Sequence, residues 1–131
     1  MILLDTHAWV WWVSDPARLS RSAQSAISAA AAAGIVHLST ISAWEVALLH
    51  RRGRLEFTIP IAEWLARALA VPSLRVVALE ASVAVEAADL PRTMPKDPAD
   101  RFIVATARHL GVPLVTRDSR LRRHPLVKSI W

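Results

Sequence analysis

The chain contains no cysteine, which rules out disulfides, thiolate zinc sites and a thiol nucleophile together. Glycine is nearly as scarce, with three in 131 residues. None lies in a Gly-rich phosphate-cradling loop or a Gly-x-Ser-x-Gly elbow, so two common routes to phosphoryl and acyl transfer are missing. Long apolar runs are absent as well. The most apolar stretch, Ala29 to Val36, is too short to span a bilayer. The N-terminal Met1-Ile-Leu-Leu-Asp5 carries no basic region and is broken by Asp5, unlike a secretion signal. These absences are compatible with a cytoplasmic protein. No repeat or linker interrupts the chain, and its length suits one domain over residues 1–131.

What is present is an apolar majority, 53% hydrophobic residues, ample for a packed core. Sixteen Lys and Arg outnumber eleven Asp and Glu. That surplus suits a polyanionic partner but also occurs in soluble domains that bind none.

Short apolar runs read as buried strands at Ile2–Leu4, Val36–Leu38, Arg75–Ala78, Pro113–Val115 and Leu126–Ile130. Helical patterns fill Thr6–Val13, Ser20–Ala33, Ile41–Arg52, Ile61–Ala70, Ala81–Ala88 and Pro98–Leu110. Gly34, Gly53 and Gly111 each follow a helical stretch, the place of a left-handed closing residue. Strands alternating with helices predict a three-layer α/β/α sandwich around a parallel sheet.

Four carboxylates stand where carboxylates are costly. Asp5 and Asp118 follow predicted strands, at the end of a parallel sheet where ligands bind. Glu45 shares a helix stripe with Ile41, Leu48 and Leu49. Asp100 shares one with Ile103, Val104 and Ala107. Each has a plain structural role open to it: helix capping for Asp5 and Asp118, an arginine partner for Glu45, the helix dipole for Asp100. Together, on segments that meet at one sheet edge, they point to a site that holds a cation. An oxygen-only donor set rich in carboxylates selects Mg²⁺ or Mn²⁺ over zinc. Asp97 reads as a helix cap and a supporting residue, with Pro98 opening the helix. Thr6 and Thr116 read as supporting hydroxyls.

The chain resembles the PIN-domain nucleases, and within them the VapC-type toxins of toxin–antitoxin systems. The pieces that carry the resemblance are Leu3-Leu4-Asp5-Thr6-His7-Ala8-Trp9, Ser42-Ala43-Trp44-Glu45-Val46-Ala47, Asp97-Pro98-Ala99-Asp100-Arg101-Phe102-Ile103-Val104-Ala105-Thr106-Ala107 and Leu114-Val115-Thr116-Arg117-Asp118. They run nearly end to end. The resemblance implies a five-stranded parallel sheet and a Mg²⁺- or Mn²⁺-dependent endoribonuclease whose acidic quartet is Asp5, Glu45, Asp100 and Asp118. It implies RNA substrates such as tRNA or ribosomal RNA, a homodimer, and a cognate antitoxin that blocks the site. His7 departs from the Ser or Asn frequent after Asp-Thr.

Two further features invite expectations. Trp9 and Trp12 share a helix face and read as core, whereas Trp11 points elsewhere and reads as an exposed interface residue against an antitoxin helix or second protomer. Arg117, Arg120, Arg122, Arg123 and Lys128 form a basic cluster beside Asp118, read as steering phosphate towards the site. The competing readings are an RNA-processing nuclease with no antitoxin and a non-catalytic RNA- or protein-binding module. A haloacid-dehalogenase pattern fails because His7 stands where a second aspartate is required.

Overall fold

The computed structural model describes residues 1–131. Five strands form one all-parallel sheet: β1 (Ile2–Leu4), β2 (Val36–Ser39), β3 (Leu74–Val77), β4 (Leu114–Val115) and β5 (Ser129–Ile130). Their order across the sheet is β3-β2-β1-β4-β5. β1 is therefore central, with every side chain buried. Its alternation divides the core. Ile2 and Leu4 pack on one face with Trp9, Ile27 and Trp64, while Leu3 packs on the other with Ile103, Val104 and Leu114. Each such buried aliphatic chain contributes about 1.5–3 kcal/mol.

Seven α-helices cover the sheet: α1 (Thr6–Ser14), α2 (Arg21–Ala32), α3 (Thr40–Arg51), α4 (Ile61–Leu69), α5 (Ala81–Asp89), α6 (Pro98–Leu110) and α7 (Ser119–Arg123). α1, α2 and α4 supply one layer, and α6 and α7 fill the other, with α5 outside α6. No helix is long and apolar enough to cross a membrane. The sheet and sandwich expected from the sequence are present.

Helix ends are set by a few residues. Asp5, Ser20, Ser39, Asp97 and Asp118 cap α1, α2, α3, α6 and α7 with side-chain oxygens accepting backbone N–H groups. At the other ends, Gly34 and Gly111 have φ of 70° and 66°. The following residues donate back over the turn, Ile35 N to Ala30 O and Val112 N to Ala107 O, both at 3.0 Å. This closure needs a left-handed residue, which is why glycine stands there. It turns the chain into β2 and towards β4.

Two expectations change. The last strand is two residues, because a turn at His124 takes the N–H groups before it: Val127 N donates to His124 O at 3.1 Å and Leu126 N to His124 Nδ1 at 3.2 Å. β3 spans Leu74–Val77 rather than Arg75–Ala78, a slip of one residue.

Candidate active site

The strand order reverses direction between β1 and β4, and the crevice beyond the carboxyl ends of these two strands is where a parallel sheet leaves room for a ligand. Asp5 follows β1, and Thr116, Arg117 and Asp118 follow β4. Asp5 N donates to Val115 O at 3.0 Å, fixing the two exits side by side. α3 brings Glu45 from β2, and the start of α6 brings Asp97 and Asp100. All five carboxylates line one cleft of about 530 Å³, together with Thr6, His7 and four arginines.

The residues are held individually. Asp5 Oδ1 accepts from Ala8 N at 2.7 Å and Asp97 Oδ1 from Asp100 N at 3.1 Å. Asp118 accepts from Arg120 N at 2.8 Å, and its other oxygen pairs with the Arg120 guanidinium at 2.8 Å. The capping roles open to Asp5, Asp97 and Asp118 are thus real, and compatible with facing the cleft. Thr116 is fully buried; its hydroxyl accepts the Asp118 N–H at 3.1 Å and lies beside Asp5, whose ionised form it favours. The Thr6 hydroxyl donates to Ser42 Oγ at 3.0 Å, and its nearness to Glu45 eases that carboxyl's ionisation.

Electrostatics separates the acids. Burial pushes the Asp5 carboxyl up to about 6, against the pull of the Thr116 hydroxyl and the Ala8 N–H. Asp5 retains some surface on the cleft, yet protein surrounds its carboxyl on the other sides. Asp100 rises to about 7, first from burial and then from the charges of Asp97, Glu45, Asp118 and Asp5. Glu45 is raised by burial and by Asp97 and Asp5, with Thr6 and His7 opposing. Asp118 is held below the usual carboxylate range by its bonds to Arg120. Burial lowers His7 against the attraction of Glu45.

Neither Asp5 nor Glu45 has an ion-pair partner; the only basic group near Asp100 is Arg120, at 4.0 Å. Carboxylates drawn out of water without a counter-charge, each raising its neighbours' pKa values, are the donor set that a hard divalent cation stabilises. The residues therefore fit a Mg²⁺- or Mn²⁺-type ion by chemistry. No three of these side chains form a ready-made metal-holding group.

Arg117 and Arg120 line the cleft, but Arg122 and Arg123 line a separate hollow and Lys128 a third. Trp11 departs from its expected exposure: it is 7% exposed, covered by His7, Trp131 and the guanidinium groups of Arg18 and Arg117. Its position off the Trp9 face of α1 turns it to the cleft wall, not to solvent. The exposed tryptophan is Trp44, at 50%. Trp9 is buried and Trp12 packs against the same core, as expected. Arg18 and Arg54 also line the cleft. Arg18 ends a short 3-10 turn, Pro16–Arg18, and Arg54 lies three residues past α3; no local pattern distinguishes them from other surface arginines.

Fold and cleft together define an α/β protein with an acidic switch-point site. The PIN domain family matches residues 2–126. Ribonuclease VapC22 of Mycobacterium tuberculosis is 41% identical over 132 residues, covering 99% of this chain and 98% of that protein. A VapBC2 complex from Rickettsia felis, bound to a DNA fragment from its promoter, superposes with a TM-score of 0.70 at 17% identity, covering 98% and 97% of the two chains. A toxin–antitoxin complex from Klebsiella pneumoniae superposes with a TM-score of 0.65 at 20% identity, covering 97% and 95%. At those identities the superpositions speak for the fold alone. The chain belongs to the PIN-domain family, as one of its VapC-type members.

Proposed function

We propose that this protein is a metal-dependent endoribonuclease and the toxin of a toxin–antitoxin pair, cutting phosphodiester bonds in RNA, with tRNA or ribosomal RNA as the substrate class. The observation that carries the reading is the pair of unneutralised, part-buried carboxylates, Asp5 and Glu45, in a cleft they share with Asp100, Asp118 and four arginines. The name of the relative and the complexes in which its structural neighbours occur support it. The partners are an RNA, a small antitoxin protein and a second copy of this chain.

Asp5, Glu45, Asp100 and Asp118 would hold the Mg²⁺ or Mn²⁺ ion, which supplies a water acidified towards neutrality and counter-charge for the phosphate oxygens. Arg117, free of any ion pair, draws the phosphate to the cleft mouth, and Arg120 adds positive charge there while paired with Asp118. A proton must leave the attacking water, and Glu45 accepts it better than Asp118. Glu45 has no arginine on its carboxylate, whereas Arg120 engages both oxygens of Asp118. Asp97 caps α6 and so fixes where Asp100 stands. Thr6 and Thr116 stand beside Glu45 and Asp5 and favour their ionised forms.

The test is cleavage of total RNA by the purified chain with Mg²⁺ or Mn²⁺, against EDTA and the Asp5→Asn variant. Metal-dependent cutting lost in the variant upholds the reading. Equal cutting by the variant, or none by the wild-type chain freed of antitoxin, overturns it.

A further inference from the structure

One edge of the cleft is basic and aromatic. The Arg18 guanidinium lies 4.8 Å from the centre of the Trp11 ring, and that of Arg117 lies 5.8 Å from it. The Trp131 ring is 5.9 Å from the Trp11 ring, and Trp131 also walls the second hollow, about 310 Å³, with Arg122 and Arg123. Arg18, Arg117, Arg122 and Arg123 are all exposed and none takes part in an ion pair, although carboxylates crowd the cleft beside the first two. Arg120 differs: it is spent on Asp118 and faces Asp100.

An arginine stacked on an indole keeps its in-plane N–H donors free, and that fork matches a phosphate. Arginines joined by tryptophan faces are the combination that tracks a single nucleic-acid strand: charge follows the backbone, and rings accept bases. The second hollow offers two arginines, two serines and one tryptophan, a lining for phosphate more than for apolar peptide side chains.

We propose that the RNA strand leaves the acidic cleft along this edge. Arg18 and Arg117, positioned by Trp11, hold the phosphates beside the cleft; Arg122 and Arg123, beyond Trp131, hold a more distant one. The proposal rests on the ribonuclease reading and adds a second binding region to it, so that RNA length on this side sets affinity.

The experiment uses the full chain carrying Asp5→Asn to prevent cutting, with single-stranded RNA oligonucleotides of about 4 and about 12 nucleotides. Affinity is measured by fluorescence anisotropy over a range of salt. Arg18→Ala/Arg117→Ala weakens binding of both lengths; Arg122→Ala/Arg123→Ala weakens only the longer one, and Trp131→Ala, which also uncovers Trp11, weakens the longer one more than the shorter. Each arginine pair costs roughly three- to tenfold and flattens the log–log salt slope by about 0.7 for every phosphate it no longer neutralises. Trp11→Phe, which keeps a ring in place, gives a smaller reduction of the same kind. Thermal melts verify that the variants, altered mainly at exposed positions, remain folded.

Unchanged affinity and slope in both double variants, while the wild-type chain cuts RNA, overturns the track and leaves the ribonuclease reading standing. Variants that bind RNA normally but fail to capture a co-expressed antitoxin assign the arginines to that protein and overturn it too. No RNA binding by the Asp5→Asn chain together with no cutting by the wild-type chain overturns both readings.

Discussion

Helix α6 has a chemically different hollow at each end. At its start, Asp100 enters the 530 Å³ cleft, where burial and four other carboxylates raise it to about 7. At its end, Arg108 borders a hollow of about 240 Å³, where Glu86 meets it at 3.0 Å over an apolar floor of Val104, Ala107 and Val112. One acid lacks a close base and the other has one. A paired, half-exposed charge is worth little and asks nothing of a ligand; an unpaired buried one costs free energy until a ligand arrives. The acid without a base is thus a better guide to chemistry than the hollow with the greasier lining.

The sharpest way to break this comparison is to remove the unpaired charge. Asp100→Asn should lower metal-dependent RNA cleavage by about 10²–10³-fold, the scale of losing one charge-stabilising group at an active site. Glu86→Gln at the other end should leave cleavage within twofold, a bound of about 0.4 kcal/mol on its part in the barrier. Initial rates on one RNA decide both. Equal losses would mean the two ends are not chemically distinct.

Acidity provides the second test. A carboxyl whose folded-state pKa lies above its unfolded value keeps its proton longer when folded. Its stabilising effect is fully present below the unfolded value near 3.8 and is lost as pH rises through about 6 for Asp5 and about 7 for Asp100. Asp5 alone accounts for up to about 3 kcal/mol over that span. Asp118, held low by Arg120, acts oppositely and stabilises at neutral pH. In EDTA, urea denaturation should therefore show stability falling between about pH 4 and pH 7, with Asp5→Asn flattening the fall. Stability that rises steadily to pH 7 in the wild-type chain would refute the burden assigned to Asp5.

Much of this is legible in the chain. The run Ile2-Leu3-Leu4 ends in a charge, and a buried strand followed by an acid places Asp5 at the sheet's carboxyl end from sequence alone. The stripe arguments for Glu45 and Asp100 hold because helical periodicity fixes which face a residue takes, and the sheet supplies the burial. Trp11 escapes the same logic. Periodicity separates it from Trp9, but cannot tell that Trp131, 120 residues later, closes over it. Arg18 and Arg54 leave no signal because their chemistry depends on where long side chains reach after a helix has ended. Leu126-Val127 looks like strand by composition, yet a histidine-capped turn takes both N–H groups.

Cation binding is the next and somewhat smaller effect. If the cleft takes a divalent ion in the folded state only, an ion at about a hundred times its Kd adds about 2.7 kcal/mol, several degrees in Tm for a chain of this size. Differential scanning fluorimetry with Mg²⁺ and Mn²⁺ should show that rise, and Asp5→Asn or Asp100→Asn should reduce it. The rise should be larger at pH 8 than at pH 5, where Asp5 and Asp100 hold protons that the ion has to displace. No rise at either pH would leave the acids without the counter-charge argued for them.

The smallest effect belongs to the paired end. Glu86 and Arg108 are each more than a third exposed, at 36% and 38%, so their ion pair at 3.0 Å is screened by water and salt. Arg108 Nη1 also donates to Leu126 O at 3.3 Å, which ties α6 to the turn before β5. Glu86→Ala removes only the pair and should cost within about 0.5 kcal/mol, vanishing at high salt. Arg108→Ala removes the bond to the turn too, and should cost more and keep part of that cost in salt. Chemical denaturation of the two variants at low and high salt separates charge from tether. If Glu86→Ala instead proved the costlier, or abolished the metal response, then the pair would be linked to the cleft through α6, and the division between the helix's two ends would be wrong.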